Sequence, residues 1–87
     1  METDNFVVFK DIHPSAPIHY LIVPKSHFEN FIELPDILWI EAKHIAEQLK
    51  NREKLTGFRL ATNYGDSAMI DHCHIHFLGG IDKDRKV

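Results

Sequence analysis

Three histidines alternate with apolar residues near the carboxyl end of the sequence. They occupy every second position of the segment His72-Cys73-His74-Ile75-His76-Phe77-Leu78. In a β-strand, side chains two residues apart share one face, so the imidazoles would line one face and the apolar side chains the other. The pattern therefore predicts a strand from His72 to Leu78 with a chemical face and a core face.

Such a row of imidazoles has three interpretations. It is a solvated polar face, a metal site, or a catalytic site. Histidine is the commonest metal ligand. However, His72 and His76 would lie ~13 Å apart along a strand, whereas zinc takes each nitrogen at ~2.0–2.1 Å, so one ion cannot bind all three. A neutral imidazole is also a nucleophile near pH 7, and a neighbouring imidazole can exchange protons with a substrate.

Two further segments favour the catalytic interpretation. His19 lies in a second β-rich run, Ile18–Val23, where it could stand beside the histidine face. The loop Asn63–Asp71 leads into the histidine strand, and its backbone amides could cradle an anion. Imidazoles together with amide donors suit a phosphoryl group.

The elements that would position these residues follow from apolar periodicity. Strands are predicted at Phe6–Phe9, Ile18–Val23 and Phe58–Asn63, in addition to the histidine strand. A helix is predicted from Pro35 to about Asn51, because Leu38, Ala42, Ile45 and Leu49 form one stripe of a 3.6-residue period. The order β-β-α-β-β indicates an α+β domain, with an antiparallel sheet of about four strands and one long helix on one face.

Composition limits the classes of protein. The 87 residues, with 44% hydrophobic and 26% charged, predict a single globular domain over 1–87. The net charge of −3 lacks the basic surplus of a nucleic-acid binder, and the sequence contains no apolar run long enough for a membrane span. One cysteine, Cys73, excludes an internal disulfide, and it is expected to be an inert core residue. We expect a cytoplasmic protein that binds neither nucleic acid nor membrane.

Two blocks of the sequence resemble the histidine-triad (HIT) superfamily. The segment His72–Leu78 matches its signature, in which three histidines alternate with apolar residues. The segment Asp11–His27 is similar to a second signature, typical of the Hint-like branch. Asn63 and the pair Gly79-Gly80 also match, so the resemblance extends from about Val7 to Gly80.

The resemblance implies a hydrolase or transferase acting at the α-phosphate of purine nucleotides, similar to nucleoside phosphoramidases. His74 would attack phosphorus and form a nucleotidyl-histidine intermediate, which water then releases. His76 would contact the phosphate and protonate the leaving group, His72 would orient the nucleophile, and His19 would lie at the phosphate rim. The family needs no metal or other cofactor and usually forms homodimers with a continuous sheet.

The same resemblance implies the nucleotide contacts. Asp11 would hold the ribose hydroxyls, Ile12 would contact the base, and Asn63 would line the phosphate side. Where the family usually has a hydroxyl residue before the first histidine, this sequence has Met69, whose side chain donates no hydrogen bond. Ser67 could replace that donor only if the loop takes a different route.

The sequence is also shorter than Hint-type proteins at both ends. We expect an exposed sheet edge unless residues 1–6 or a partner subunit cover it. Of the remaining histidines, His27 is expected to support a turn, His13 to belong to a turn, and His44 to be solvated.

Three alternatives to a phosphoramidase stay open. One is a dinucleoside polyphosphate hydrolase, which is also a histidine-triad activity. Another is a nucleotide-binding module with weak or no activity, consistent with Met69. The third is a metal-binding protein.

Overall fold

Strand pairing builds one antiparallel sheet. The computed structural model describes residues 1–82. Over this range the strands are β1 (Phe6–Lys10), β2 (Ile18–Pro24), β3 (Phe58–Ala61) and β4 (Ile75–Gly79), arranged in the order β1-β2-β4-β3. The helix α1 (Asp36–Arg52) connects β2 to β3. The predicted α+β class and the element order are confirmed.

The helix packs on the sheet through its predicted apolar stripe. Ala42, Ile45 and Leu49 are buried, and Leu38 packs partly buried against them. Ala46 extends the stripe. The observed helix starts one residue after Pro35 and ends one residue past Asn51, close to the predicted bounds. No helix within residues 1–82 has the length and apolar character needed to cross a membrane.

Strand β4 forms the centre of the core. Ile75 and Phe77 are fully buried on the face that meets α1. Phe77 lies opposite Tyr20 of β2 and Leu60 of β3 in the strand register. Its ring also stacks on Phe58, with ring centroids 4.6 Å apart. Pairing on both edges and packing on one face together hold the orientation of β4.

The predicted beginning of the histidine strand at His72 is wrong, because β4 begins at Ile75. Pro24 of β2 has no backbone N–H to donate to β4, and its carbonyl accepts a hydrogen bond from His72 Nε2 at 3.1 Å. The amide of Cys73 instead donates to the carbonyl of Phe28 at 2.6 Å. The first two histidines of the triad therefore lie in an irregular segment held by specific contacts outside the ladder.

The amino-terminal segment covers part of the outer edge of β1. Glu2 forms a bridge with Val7, and the carbonyl of Met1 accepts the amide of Val8 at 2.8 Å. The terminal ammonium in turn donates to the carbonyl of Val8 at 2.8 Å. Residues 1–6 thus provide the edge protection considered for them from the sequence.

The packing of α1 predicts that two apolar residues of this helix contribute very differently to the free energy of unfolding. Leu49→Ala should lower the free energy of unfolding by about 2–5 kcal/mol, because the truncation leaves a cavity in the core. Ile37→Ala is the matched control, since Ile37 is 73% exposed and its loss should change stability by less than about 0.5 kcal/mol. Urea unfolding of both variants measures the difference. Similar losses for the two variants would contradict the packing described here.

Candidate active site

A cavity of about 750 Å³ lies on the sheet face opposite α1. Its floor consists of side chains that alternate along the strands with core residues, namely Phe9, Leu21, Val23 and His76. Its rim consists of Asp11, His13, Asn63, Met69, Ile70, His72 and His74. The volume falls within the range of roughly 300–1,000 Å³ that is typical of small-molecule sites.

All three histidines of the triad line this cavity, although only His76 belongs to β4. The three imidazoles therefore lie on one side of the sheet, as predicted, because all three line the same cavity. The strand geometry from which that prediction was derived applies only from Ile75 onward. The rings of His74 and His76 lie edge to face, with centroids 5.1 Å apart.

His74 is oriented by the backbone of its own segment. Its Nδ1 donates to the carbonyl of His72 at 2.9 Å. A neutral imidazole carries one N–H, so this bond leaves Nε2 with a free lone pair. The carbonyl of His74 accepts from the hydroxyl of Thr62 at 2.9 Å, which ties the segment to the end of β3. His74 is thus presented in the form required of a nucleophile.

His76 is backed by a buried histidine. His19 is 6% exposed, and its Nε2 lies 2.9 Å from Nδ1 of His76. The other ring nitrogen of His19, Nδ1, accepts the backbone amide of Ser15 at 3.0 Å. His19 is absent from the cavity wall, so it sits behind His76 rather than at the rim, where the resemblance had placed it.

The surroundings of His76 disfavour its protonated form. Burial lowers the pKa of His76 below the ordinary value of 6.5, and the nearby imidazoles of His74 and His19 lower it further. Asp11 acts in the opposite direction but does not reverse the shift. These surroundings therefore favour the neutral form of His76.

His72 is held by two contacts. Because its Nε2 donates to the carbonyl of Pro24, its Nδ1 is an acceptor, and His27 Nδ1 lies 3.0 Å away as the donor. The rings of His27 and His72 meet edge to face. His27 thus contacts the triad through His72 and lies outside the cavity wall.

The predicted nucleotide-binding residues separate into two groups. Asp11 and Asn63 line the cavity. Ile12 and Ser67 do not, and Ile12 is 86% exposed. Ser67 closes a short 3-10 turn and faces solvent, so it does not replace the donor that is missing at Met69.

The loop before the triad uses several of its amides internally. The amides of Ser67 and Ala68 donate to the carbonyls of Tyr64 and Gly65 within the turn. Among the cavity-lining residues that the structure describes, lysine and arginine are absent. The polar lining is therefore made of imidazoles, one carboxylate and one amide side chain.

Several residues that line the cavity were not predicted from the sequence as site residues. His13 was assigned to a turn, but it also lines the cavity, and its amide donates to Asp11 Oδ1 at 2.8 Å. Phe9, Leu21 and Val23 were treated only as strand residues. Their alternation with the buried β1 and β2 residues was a usable signal, because it assigns them to the face opposite the core.

Asp11, His19 and His76 offer ligand atoms that all lie within 4.8 Å of one another, close enough to consider a metal. The hydrogen bonding of His19 opposes this use. The amide of Ser15 donates to Nδ1, so the proton of His19 sits on Nε2, the atom that would face the ion. Metal binding there would require His19 to lose this bond or its last ring proton.

Comparison with known proteins decides the family. The family model for the HIT domain matches residues 1–83. The chain belongs to the HIT domain family. A HIT-like protein of Chlamydia pneumoniae is 38% identical over 85 residues, covering 91% of this chain and 77% of that protein. The superfamily predicted from the two sequence blocks is therefore confirmed.

Two further similar proteins extend the comparison. Adenosine 5'-monophosphoramidase HNT1 of Saccharomyces cerevisiae is 35% identical over 80 residues, covering 90% of this chain and 51% of the yeast protein. A HIT family hydrolase from Clostridium thermocellum matches the structure with a TM-score of 0.89 at 33% identity, covering 100% of this chain and 82% of that one. The four-stranded sheet with one helix is therefore the HIT fold.

The environment of His76 predicts how it titrates. We expect its pKa to lie below 6.5, because burial and two neighbouring imidazoles disfavour the imidazolium form. An NMR titration of the labelled ring measures the pKa directly. His74→Asn should move it back upward, since one repelling imidazole is removed. The folded state binds this proton less readily than the unfolded state, so the contribution of His76 to stability should decrease as pH falls below 6.5. An unshifted pKa that does not respond to His74→Asn would contradict the described environment.

Proposed function

We propose that the chain hydrolyses nucleoside phosphoramidates through a nucleotidyl intermediate on His74. The observation that carries the proposal is the hydrogen bond from His74 Nδ1 to the carbonyl of His72. It leaves Nε2 unprotonated in a cavity large enough for a small molecule. The yeast relative named as an adenosine 5'-monophosphoramidase supports this choice of substrate.

The proposed reaction has two steps at phosphorus. His74 Nε2 forms a bond to phosphorus while the phosphorus–nitrogen bond breaks, and the nitrogen takes a proton from solvent and leaves as an amine; the water of the second step returns that proton. Water then attacks phosphorus and displaces His74. Over both steps one water molecule is consumed, with a proton added to the leaving nitrogen and the hydroxyl to phosphorus. The retained Nδ1–H of His74 stays on the carbonyl of His72 throughout, which stabilises the positive charge on the phosphorylated ring.

The charge of the cavity favours a phosphoramidate over a polyphosphate. The described lining contains neutral imidazoles and the carboxylate of Asp11, without lysine or arginine. A polyphosphate chain carries several negative charges and normally requires cations to neutralise them. A nucleoside phosphoramidate carries a single negative charge at its one phosphorus. Imidazole N–H donors and the side-chain amide of Asn63 suffice for such a group.

The nucleoside is proposed to occupy the part of the cavity that is formed by Asp11 and the apolar floor. The carboxylate of Asp11 accepts hydrogen bonds, which suits the ribose hydroxyls, and the amide of His13 holds its Oδ1. Phe9, Leu21 and Val23 provide an apolar floor for a flat purine base. In this arrangement the base contacts the strands rather than the exposed Ile12.

Turnover of adenosine 5'-phosphoramidate tests the proposal. The wild-type protein should release AMP, and His74→Ala should reduce the rate to the background because the nucleophile is lost. His44→Ala is the matched control, since His44 lies exposed on α1, away from the cavity. Acid-quenched protein should carry a nucleotidyl mass addition on His74. Diadenosine polyphosphates should be poorer substrates. Unchanged turnover in His74→Ala would refute the role of this residue.

One observation favours a second candidate, a nucleotide-binding module with little activity. Met69 lines the cavity where the family usually has a hydroxyl donor, and Ser67 lies outside the wall. The loss of one donor to a transition state typically costs about 10²–10³ in rate. Tight binding of AMP without turnover of either substrate would establish this candidate instead.

We also propose that two copies pair along β3. This strand is at the edge of the sheet, beside a groove between it and α1 that is lined by Trp39, Ala46, Phe58 and Leu60, among others. Leu60 is 43% exposed although it belongs to the core face. Pairing of two such edges would extend the sheet and cover the groove.

Sedimentation of the full chain tests the pairing. The wild-type protein should have twice the monomer mass, and Leu60→Glu should shift it toward the monomer, because a carboxylate in an apolar interface is poorly solvated. Val7→Glu is the matched control on β1, the strand at the other end of the sheet. A monomeric wild-type protein, or equal behaviour of both variants, would exclude this interface.

A further inference from the structure

Residues 63–70 join β3 to the irregular segment of the triad and supply three members of the cavity wall. Asn63 begins this segment, and Met69 and Ile70 end it. The turn between them, Gly65–Ser67, is exposed and does not line the cavity. One side of the cavity therefore has the shape that this segment gives it.

Hydrogen bonds give this segment little support from the rest of the described chain. The amides of Ser67 and Ala68 donate to carbonyls inside the same turn. The described hydrogen bonds to other parts of the chain lie at its flanks, where the hydroxyl of Thr62 and the amide of Cys73 donate to backbone carbonyls. A loop bonded in this way opens at low cost, because few buried contacts are lost when it moves.

The ring of Tyr64 provides a contact that the backbone of the segment lacks. It meets the ring of Phe31 edge to face, with centroids 6.4 Å apart and planes at 75°. Phe31 also meets Trp39 of α1 edge to face, at 6.3 Å and 76°. Trp39 packs against the hydrophobic core. Three aromatic rings thus connect the segment with the helix.

Phe31 is held in place independently of Tyr64. It opens a short 3-10 turn, and the side chain of Asn30 caps that turn by accepting the amide of Ile32 at 3.0 Å. The carbonyl of Phe31 accepts the amide of Leu34 at 3.2 Å, and Leu34 is buried. Phe31 therefore offers Tyr64 a fixed surface on which to pack.

We propose that Phe31 and Tyr64 are positioning residues that hold the segment 63–70 in the wall of the cavity. Neither ring belongs to the described cavity wall, so the two residues act through Asn63, which adjoins Tyr64 in the chain. The inference rests on the proposed function for its ligand, a nucleotide. Its physical basis is the packing of aromatic rings, which is independent of the histidine chemistry.

Loss of this contact should affect binding more than chemistry. An edge-to-face pair is strong enough to change a population by about 2–10-fold. If a smaller fraction of the protein has the segment in place, the apparent affinity for the ligand falls by that fraction. His74 keeps its orientation, because its Nδ1 donates to the carbonyl of His72, which lies outside the segment. The expected signature is a raised KM with kcat largely retained.

Substitutions at position 64 test the inference, because Tyr64 is 55% exposed and its replacement should leave the fold intact. Tyr64→Ser removes the ring and should raise the KM for adenosine 5'-phosphoramidate and the Kd for AMP by about 2–10-fold. Tyr64→Phe retains the ring and should match the wild-type protein. Ile32→Ala is the matched control, since Ile32 belongs to the same 3-10 turn as Phe31, is 65% exposed and lies outside the ring contacts.

A double-mutant cycle with Phe31→Leu tests whether the two residues act through one contact. Both substitutions remove the same ring pair, so the double variant Phe31→Leu with Tyr64→Ser should bind AMP little worse than either single variant. Independent, additive losses would overturn the inference. Unchanged KM and Kd in Tyr64→Ser would also overturn it, even if the segment became mobile.

Backbone ¹⁵N relaxation of the ligand-free protein separates this inference from the proposed function. The amides of residues 63–70 should be ordered in the wild-type protein and in Tyr64→Phe, and clearly more mobile in Tyr64→Ser. If these changes occur and neither AMP nor the phosphoramidate binds, the proposed function fails and the role of the two rings in holding the segment stands. Equal relaxation in all variants, or Tyr64→Phe behaving like Tyr64→Ser, would reject that role whatever the activity.

Discussion

Strand β4 has to satisfy two environments at once, and the rest of the structure depends on how it does so. Successive side chains of a strand point to opposite faces, so the residues that fill the core and those that face the cavity come from the same few positions. Ile75 and Phe77 are buried against α1, while His76 faces the cavity. A register shift of one residue would place an imidazole in the core and an apolar side chain in the site. The strand register that packs the core therefore also fixes the geometry of the site.

Backbone groups of the site determine which ring nitrogen of an imidazole carries the proton. An imidazole nitrogen either donates or accepts, and side-chain partners leave this choice open because they can titrate or rotate. Backbone carbonyls and amides have a permanent polarity. His72 and His74 donate to carbonyls, and His19 accepts from an amide. The irregular segment before β4 is what makes the two carbonyl contacts possible, since both would be lost in a regular ladder.

Local patterns in the sequence predicted the elements and the cavity face, but not the way in which the histidines are held. The period of α1 and the order of the elements along the chain followed from apolar spacing, because burial of one face dominates both. The start of β4 was misplaced because it depends on Pro24, a residue distant in sequence that supplies no N–H to the ladder. His19 was correctly associated with the triad. Its burial behind His76 could not be predicted, since it follows from the pairing of β2 with β4 and from the turn that brings Ser15 back to the ring.

Among the described residues that line the cavity there is no lysine or arginine, so recognition by these residues depends on shape and hydrogen bonding. A lysine or arginine beside a phosphate attracts any anion from a distance, and the attraction decreases with salt. Neutral imidazole donors contribute mainly at contact, where distance and direction decide their strength. A site of this kind attracts anions weakly from a distance and discriminates strongly by whether the phosphoryl oxygen reaches the donor. The apolar floor of Phe9, Leu21 and Val23 then has to supply much of the binding free energy, at about 25 cal/mol per Å² of apolar surface removed from water. In the proposed reaction, binding strength and reactivity would be assigned to different strands: β1 and β2 would hold the nucleoside, and the segment around β4 would act on phosphorus.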